Sequence, residues 1–156
     1  MGGPENASRA GGVLLGFDFG TRKIGVAVAD FESGIASPLR TLPAVSKSSA
    51  WKNISDLIQT WRPCGLVVGV SLQKDGSDYP VTPRILRFCR QLEGRYRLPV
   101  YQIDESLTTF EAKRMLFEDV RLNADTLWKV QDQVAAQLIL QTWLNENRTR
   151  AASARG

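Results

Sequence analysis

Residues 13–30 read VLLGFDFGTRKIGVAVAD: two apolar runs, "VLLGFDF" at 13–19 and "IGVAVAD" at 24–30, joined by the four residues "GTRK". Runs of this length on so short a link bury their apolar sides together as a β-hairpin, so the chain is committed to a sheet early. "GIASPLRTL" at 34–42 reads as a third strand. Pro38 within it points to a sheet edge, because a proline nitrogen has no hydrogen to give a ladder. "GLVVGV" at 65–70 is an unbroken apolar run of the kind buried on both faces, hence a central parallel strand, and "LPVYQID" at 98–104 is the fifth.

Helical spacing fills the intervals. Ile54, Leu57, Ile58 and Trp61 recur at helical intervals over 48–61, with serines ahead as caps and Pro63 as the stop. A second helix opens with Thr82 as N-cap and Pro83 at the first helical position, buries Ile85, Phe88 and Leu92, and closes at Gly94. Thr108 and Glu111 have capping-box spacing for a third, running to about Phe117. The last begins near Asn123 or Asp125 and ends at Asn145, with Val134, Leu138 and Trp143 among its apolar positions. Trp61 and Trp143 read as core. Three leading antiparallel strands followed by βα units describe an α/β fold, a mixed sheet with helices on its faces. It occupies one domain over 13–146, between polar tails at 1–12 and 147–156.

The 156 residues include no histidine, which removes Ser-His-Asp and Cys-His nucleophile systems and histidine general bases together. Cys64 and Cys89 lack the close spacing of zinc or redox sites. A formal charge of +4 favours a polyanionic partner. No apolar stretch approaches the roughly 20 residues that span a bilayer, and the N-terminus is not built like a signal peptide. A soluble, cytoplasmic protein without a membrane partner is expected.

Three acids sit at element ends. Asp18 is near the carboxyl end of strand one and Glu105 just past that of strand five, where ligands gather in α/β sheets. Asp132 opens the side of the last helix that Ala135, Ala136, Ile139 and Trp143 continue. Carboxylates brought together in a half-buried place repel one another, and a divalent cation relieves both that and the loss of water. Oxygen donors without His or Cys select Mg²⁺ or Mn²⁺, one ion or two, and two would suit phosphodiester hydrolysis. Each acid has a plainer explanation: an Asx turn for Asp18, a solvated loop acid for Glu105 with Asp104 beside it, and a first-turn helix acid for Asp132. Thr21, Arg22 and Lys23 in the hairpin turn, Lys74 after strand four, and Arg84, Thr108 and Thr109 are candidate substrate contacts. Arg84, Arg87 and Arg90 recur as a stripe that a solvated helix face explains equally well.

"LGFDFGTRKIGVAVAD", "LVVGVSLQKDGSDYPVTPRILRFCRQLEG", "LPVYQIDESLTT" and "DQVAAQLILQTWL" follow one another over residues 13–145. Together they resemble the YqgF family, Holliday-junction-resolvase-like proteins of the RNase H superfamily, also described as candidate pre-16S rRNA nucleases. The resemblance implies an RNase H-like fold with a five-stranded mixed sheet in the order 3-2-1-4-5, strand two antiparallel and helices on both faces. It implies a bacterial cytoplasmic nuclease, monomeric or homodimeric, that matures the 5′ end of precursor 16S rRNA. Asp18, Glu105 and Asp132 fall on its catalytic, metal-holding acids. Ser106 and Gln133 depart from the family's usual Arg and small residue. In that order strand five lies two strands from strand one, roughly 10 Å away, and Gly69 on the strand between leaves space for the acids to converge. The alternatives are a resolvase of branched DNA, a nucleic-acid-binding protein that cuts nothing, and, from the "DFGT" turn, an ATPase.

Overall fold

Alternation along the hairpin sends its side chains to two separate cores. The computed structural model describes residues 12–70, 80–104 and 124–155. In β1 (Val13–Phe19), Leu15 and Phe17 enter one buried cluster, while Leu14 enters the other. β2 (Lys23–Asp30) repeats the division, with Ile24 and Val26 on the first side and Ala27 and Ala29 on the second. With β3 (Ile35–Pro43), β4 (Gly65–Val70) and β5 (Val100–Asp104) the sheet has the order β3-β2-β1-β4-β5, as expected. β2 runs antiparallel to both its neighbours, whereas β1 pairs parallel with β4 and β4 with β5. Every residue of β4 is buried, because helices cover both faces of this central strand. β3 is the edge that Pro38 requires. Val26 pairs with Arg40 and Ala27 with Pro38, so Leu39 is an extra residue and the ladder bulges beside the proline.

The first face is closed by α1 (Ser48–Trp61) and α2 (Thr82–Tyr96). Ile54 and Leu57 of α1 and Ile85, Phe88, Cys89 and Leu92 of α2 pack on Leu15, Phe17, Leu66 and Val68. Each such fully buried side chain contributes roughly 1.5–3 kcal/mol of transfer free energy. The ends of both helices differ from expectation. The serines do not cap α1: its N-cap is Lys47, which makes no side-chain cap bond, and its C-cap is Arg62, left-handed, with its N–H on the Ile58 carbonyl. Trp61, in the last turn of α1, is 38 % exposed rather than core. In α2 the N-cap is Val81, so Thr82 is the first helical residue and Pro83 the second. Gly94 does not end α2, which continues to Tyr96 and is closed by Arg97.

α3 (Ala124–Arg155) covers the second face. Ala136, Ile139, Leu140, Trp143 and Leu144 pack on Leu14, Ala27, Val67 and Ile103, and Trp143 is core as expected. The approach is close: a Cβ at Gly16 would lie 2.8 Å from the Leu140 Cβ. The Gln141 side chain accepts the Ala36 N–H and donates to the Gly34 carbonyl, and the Gln137 amide donates to the Ala36 carbonyl. These bonds satisfy backbone groups of the exposed edge strand and fasten the helix to it. α3 runs past Asn145, so the stretch 147–155, expected as a tail, continues the helix. The helix expected at 108–117 and the N-terminal tail lie outside the described residues, apart from residue 12.

Candidate active site

Asp18 and Asp132 come to one place because of the residue between them. Asp18 pairs directly with Gly25 across the β1–β2 ladder, and opposed residues of an antiparallel pair point to the same face. That face is the one α3 covers. A Cβ on Gly25 would fall onto the Asp132 carbonyl and lie 3.2 Å from the Asp132 Cα, so only glycine lets this turn of helix rest on β2. Asp18 and the Asp132 backbone therefore flank the same glycine, and both residues are half-buried. With α3 starting at Ala124, Asp132 lies about two turns inside the helix, which removes its explanation as a first-turn acid.

Strand register carries the site toward β5. Phe17 pairs with Val68, which sets Asp18 level with Gly69, and Gly69 pairs with Ile103. Val67 belongs to the second core, so alternation turns Gly69 to the same face, where it places no side chain between β1 and β5. Asp104 alternates with Ile103 and so faces away from Asp18 and Asp132, which disposes of it as a competitor for their company. Glu105, Lys74, Thr108 and Thr109 lie outside the described residues. Among the described residues no three Asp, Glu, Cys or His side chains form a metal-holding group. Asp18 and Asp132, whose backbones flank Gly25, carry oxygen donors of the kind Mg²⁺ and Mn²⁺ take.

Thr21, Arg22 and Lys23 are exposed at the same end of the sheet. Thr21 and Arg84 also line one cavity of about 380 Å³, on the opposite face, together with Arg87 and Trp51. Arg90, the third member of the basic stripe, is exposed and is not part of that lining. Reading the sequence alone singled out neither Trp51 nor Gly25. Trp51 precedes Ile54 and Ile58 by helical steps and so looks like ordinary core, whereas an isolated glycine inside a strand is itself a signal of close backbone approach. No thiol competes for the chemistry. Burial pushes the Cys89 thiol up to about 11 and raises Cys64 as well, so both stay protonated.

A family model described as "RuvX: Holliday junction resolvase" matches residues 12–146. A protein of Methylococcus capsulatus described as "Putative pre-16S rRNA nuclease" is 54% identical over 139 residues, covering 89% of this chain and 92% of the relative. A protein of the same description from Nitrosomonas europaea is 41% identical over 142 residues, covering 91% and 95%. Among solved structures, Thermus thermophilus RuvC in complex with Holliday junction substrate superposes with a TM-score of 0.56 at 14% identity, covering 84% of this chain and 92% of that one. A likeness at that identity is one of fold.

Proposed function

The chain belongs to the RuvX family, and from that premise we propose that it is a metal-dependent nuclease that hydrolyses phosphodiester bonds of precursor 16S ribosomal RNA. The observation that supports the reading is the seat at Gly25, where a strand gives up a side chain and the turn of helix bearing Asp132 rests beside the ladder partner of Asp18. Asp18 and Asp132, with Glu105 following the end of β5, are the residues that would hold Mg²⁺ or Mn²⁺. Such ions, when bound, lower the pKa of an attacking water and stabilise the leaving oxygen. The protein's own share is orientation and charge. Asp18 is carried by a strand and Asp132 by a helix seated on that strand's neighbour, so their backbones are positioned before substrate arrives. Arg22 and Lys23 in the turn after β1, and Lys74, Thr108 and Thr109 by their place in the sequence, would meet the phosphates on either side of the cut. No histidine is needed.

The test is incubation of the purified protein with a 5′-extended 16S precursor in Mg²⁺, in Mn²⁺ and in EDTA, beside Asp18→Asn. Cleavage that requires the metal and falls by at least about a hundredfold in Asp18→Asn is expected, given what removal of one charge-stabilising group usually costs. Unchanged cleavage in the folded variant rules the site out. The family model's own description names a branched DNA substrate, so a four-way DNA junction is included as competitor. Preferential cutting of the junction would reassign the substrate while leaving the carboxylates in place.

A further inference from the structure

The cavity of about 380 Å³ opens at the same end of the sheet as the carboxylates but on the other face. Phe19, next in the chain after Asp18, turns to the first core, and Trp51 and Val45 pack there with it. Those three make an apolar floor, and Arg84, Arg87 and Thr21 line the same space. Among the described residues no acidic one lines it. Arg84 and Arg87 stand three residues apart on one side of α2, a spacing that lets two guanidinium groups meet a single anion. Trp51 is held in place: the Arg95 guanidinium lies 4.1 Å from its ring centroid and the Phe88 ring 5.8 Å away. Two exposed arginines beside a held apolar wall suit a ligand that is anionic at one end and flat and apolar at the other, which describes a nucleotide and not a bare anion. The volume suits one such unit, at the small end of the roughly 300–1,000 Å³ of ligand sites.

Phe19, Gly20 and Thr21, the three residues that follow Asp18, all line the cavity. A strand with one phosphate at Asp18 has only to pass over this turn for a neighbouring nucleotide to reach Arg84. We propose that the cavity is a subsite for one nucleotide of a single strand flanking the scissile bond, its phosphate on Arg84 and Arg87 and its base against Trp51 and Phe19. The assignment of that nucleotide as flanking a cut rests on the nuclease reading, and the binding itself does not.

The experiment uses the full chain in EDTA, with a fluorescein-labelled single-stranded RNA for anisotropy and adenosine 5′-monophosphate or inorganic phosphate as competitors. Arg87→Ala is expected to weaken RNA binding about tenfold and to lower the salt slope by about one, and Arg87→Lys to restore the slope. The monophosphate should change tryptophan fluorescence in the wild type and not in Trp51→Phe. Unaltered affinity and slope in a folded Arg87→Ala would overturn the subsite, as would inorganic phosphate that displaces RNA as well as the nucleotide does. Cleavage of the precursor is measured on the same proteins in Mg²⁺. Arg87-dependent binding by a wild type that cuts nothing upholds the subsite and fails the nuclease reading, whereas Asp18-dependent cutting with Arg87-independent binding does the reverse.

Discussion

A methyl group added at Gly25 would claim space that the Asp132 carbonyl fills, and a helix backbone cannot swing aside as the end of a long side chain can. Gly25→Ala therefore has to lift α3 off β2 at the turn that carries Asp132. Overpacking of this kind costs about 1–3 kcal/mol, and the same displacement separates Asp132 from Asp18. Denaturant unfolding is expected to record that loss, and precursor cleavage to fall by at least about tenfold. A variant as stable and as active as wild type would mean that the helix does not need this seat. Asp18 and Asp132 could be picked out because a carboxylate in an apolar run is conspicuous, and the one glycine that unites them could be noticed only as an interruption of a strand. Asp104 and Glu105 are adjacent and chemically alike, and strand alternation, a property of the folded sheet, is what separates Asp104 from the site.

At the scale of the element, strands were easier to read than helix ends. A strand's period and its Pro or Gly interruptions are local, so β1, β2 and β4 fall where the apolar runs lie. Helix ends depend on which residue can leave the helical conformation with tertiary support. α1 and α2 both stop at an arginine in the left-handed region, Arg62 with φ 46° and Arg97 with φ 54°, although Gly94 was available for the purpose. Gly94 stays within α2, where nothing lies within 4 Å of the position a Cβ would take, and it is not among the residues of positive φ. Gly94→Ala is thus expected to stabilise the protein by about 0.5–1 kcal/mol, by reducing the freedom of the unfolded chain without adding a clash. A shift of the urea midpoint to higher concentration with an unchanged slope would establish it, and a lower midpoint would contradict the placement of the helix end.

Across the whole molecule the sheet separates two cores and, at one end, two kinds of surface: carboxylates on the α3 face, arginines and an aromatic wall on the α1–α2 face. Stability also has a global pH dependence. Burial raises the Cys89 thiol from 9.0 to about 11, and raises Cys64 and Tyr101 in the same sense. These groups hold their protons more tightly folded than unfolded, so their contribution is complete below about pH 9 and is lost as the pH climbs toward 11. Unfolding free energies measured from pH 8 to 11 should decline over that window, and Cys89→Ala should flatten the decline. Among the described residues no helix is long and apolar enough to cross a membrane. The positions of the strands, the edge marked by Pro38, the lack of a histidine and the three candidate acids were all determined by the sequence, because each depends on local period or on side-chain chemistry, whereas the order of the strands was an expectation drawn from the family resemblance. Only the tertiary structure decided that Asp132 lies against the partner of Asp18, that Trp61 is outside the core, and that two of three similar arginines share a cavity. Those outcomes depend on which residues of distant segments are brought within a few ångströms, and spacing along the chain does not encode that distance.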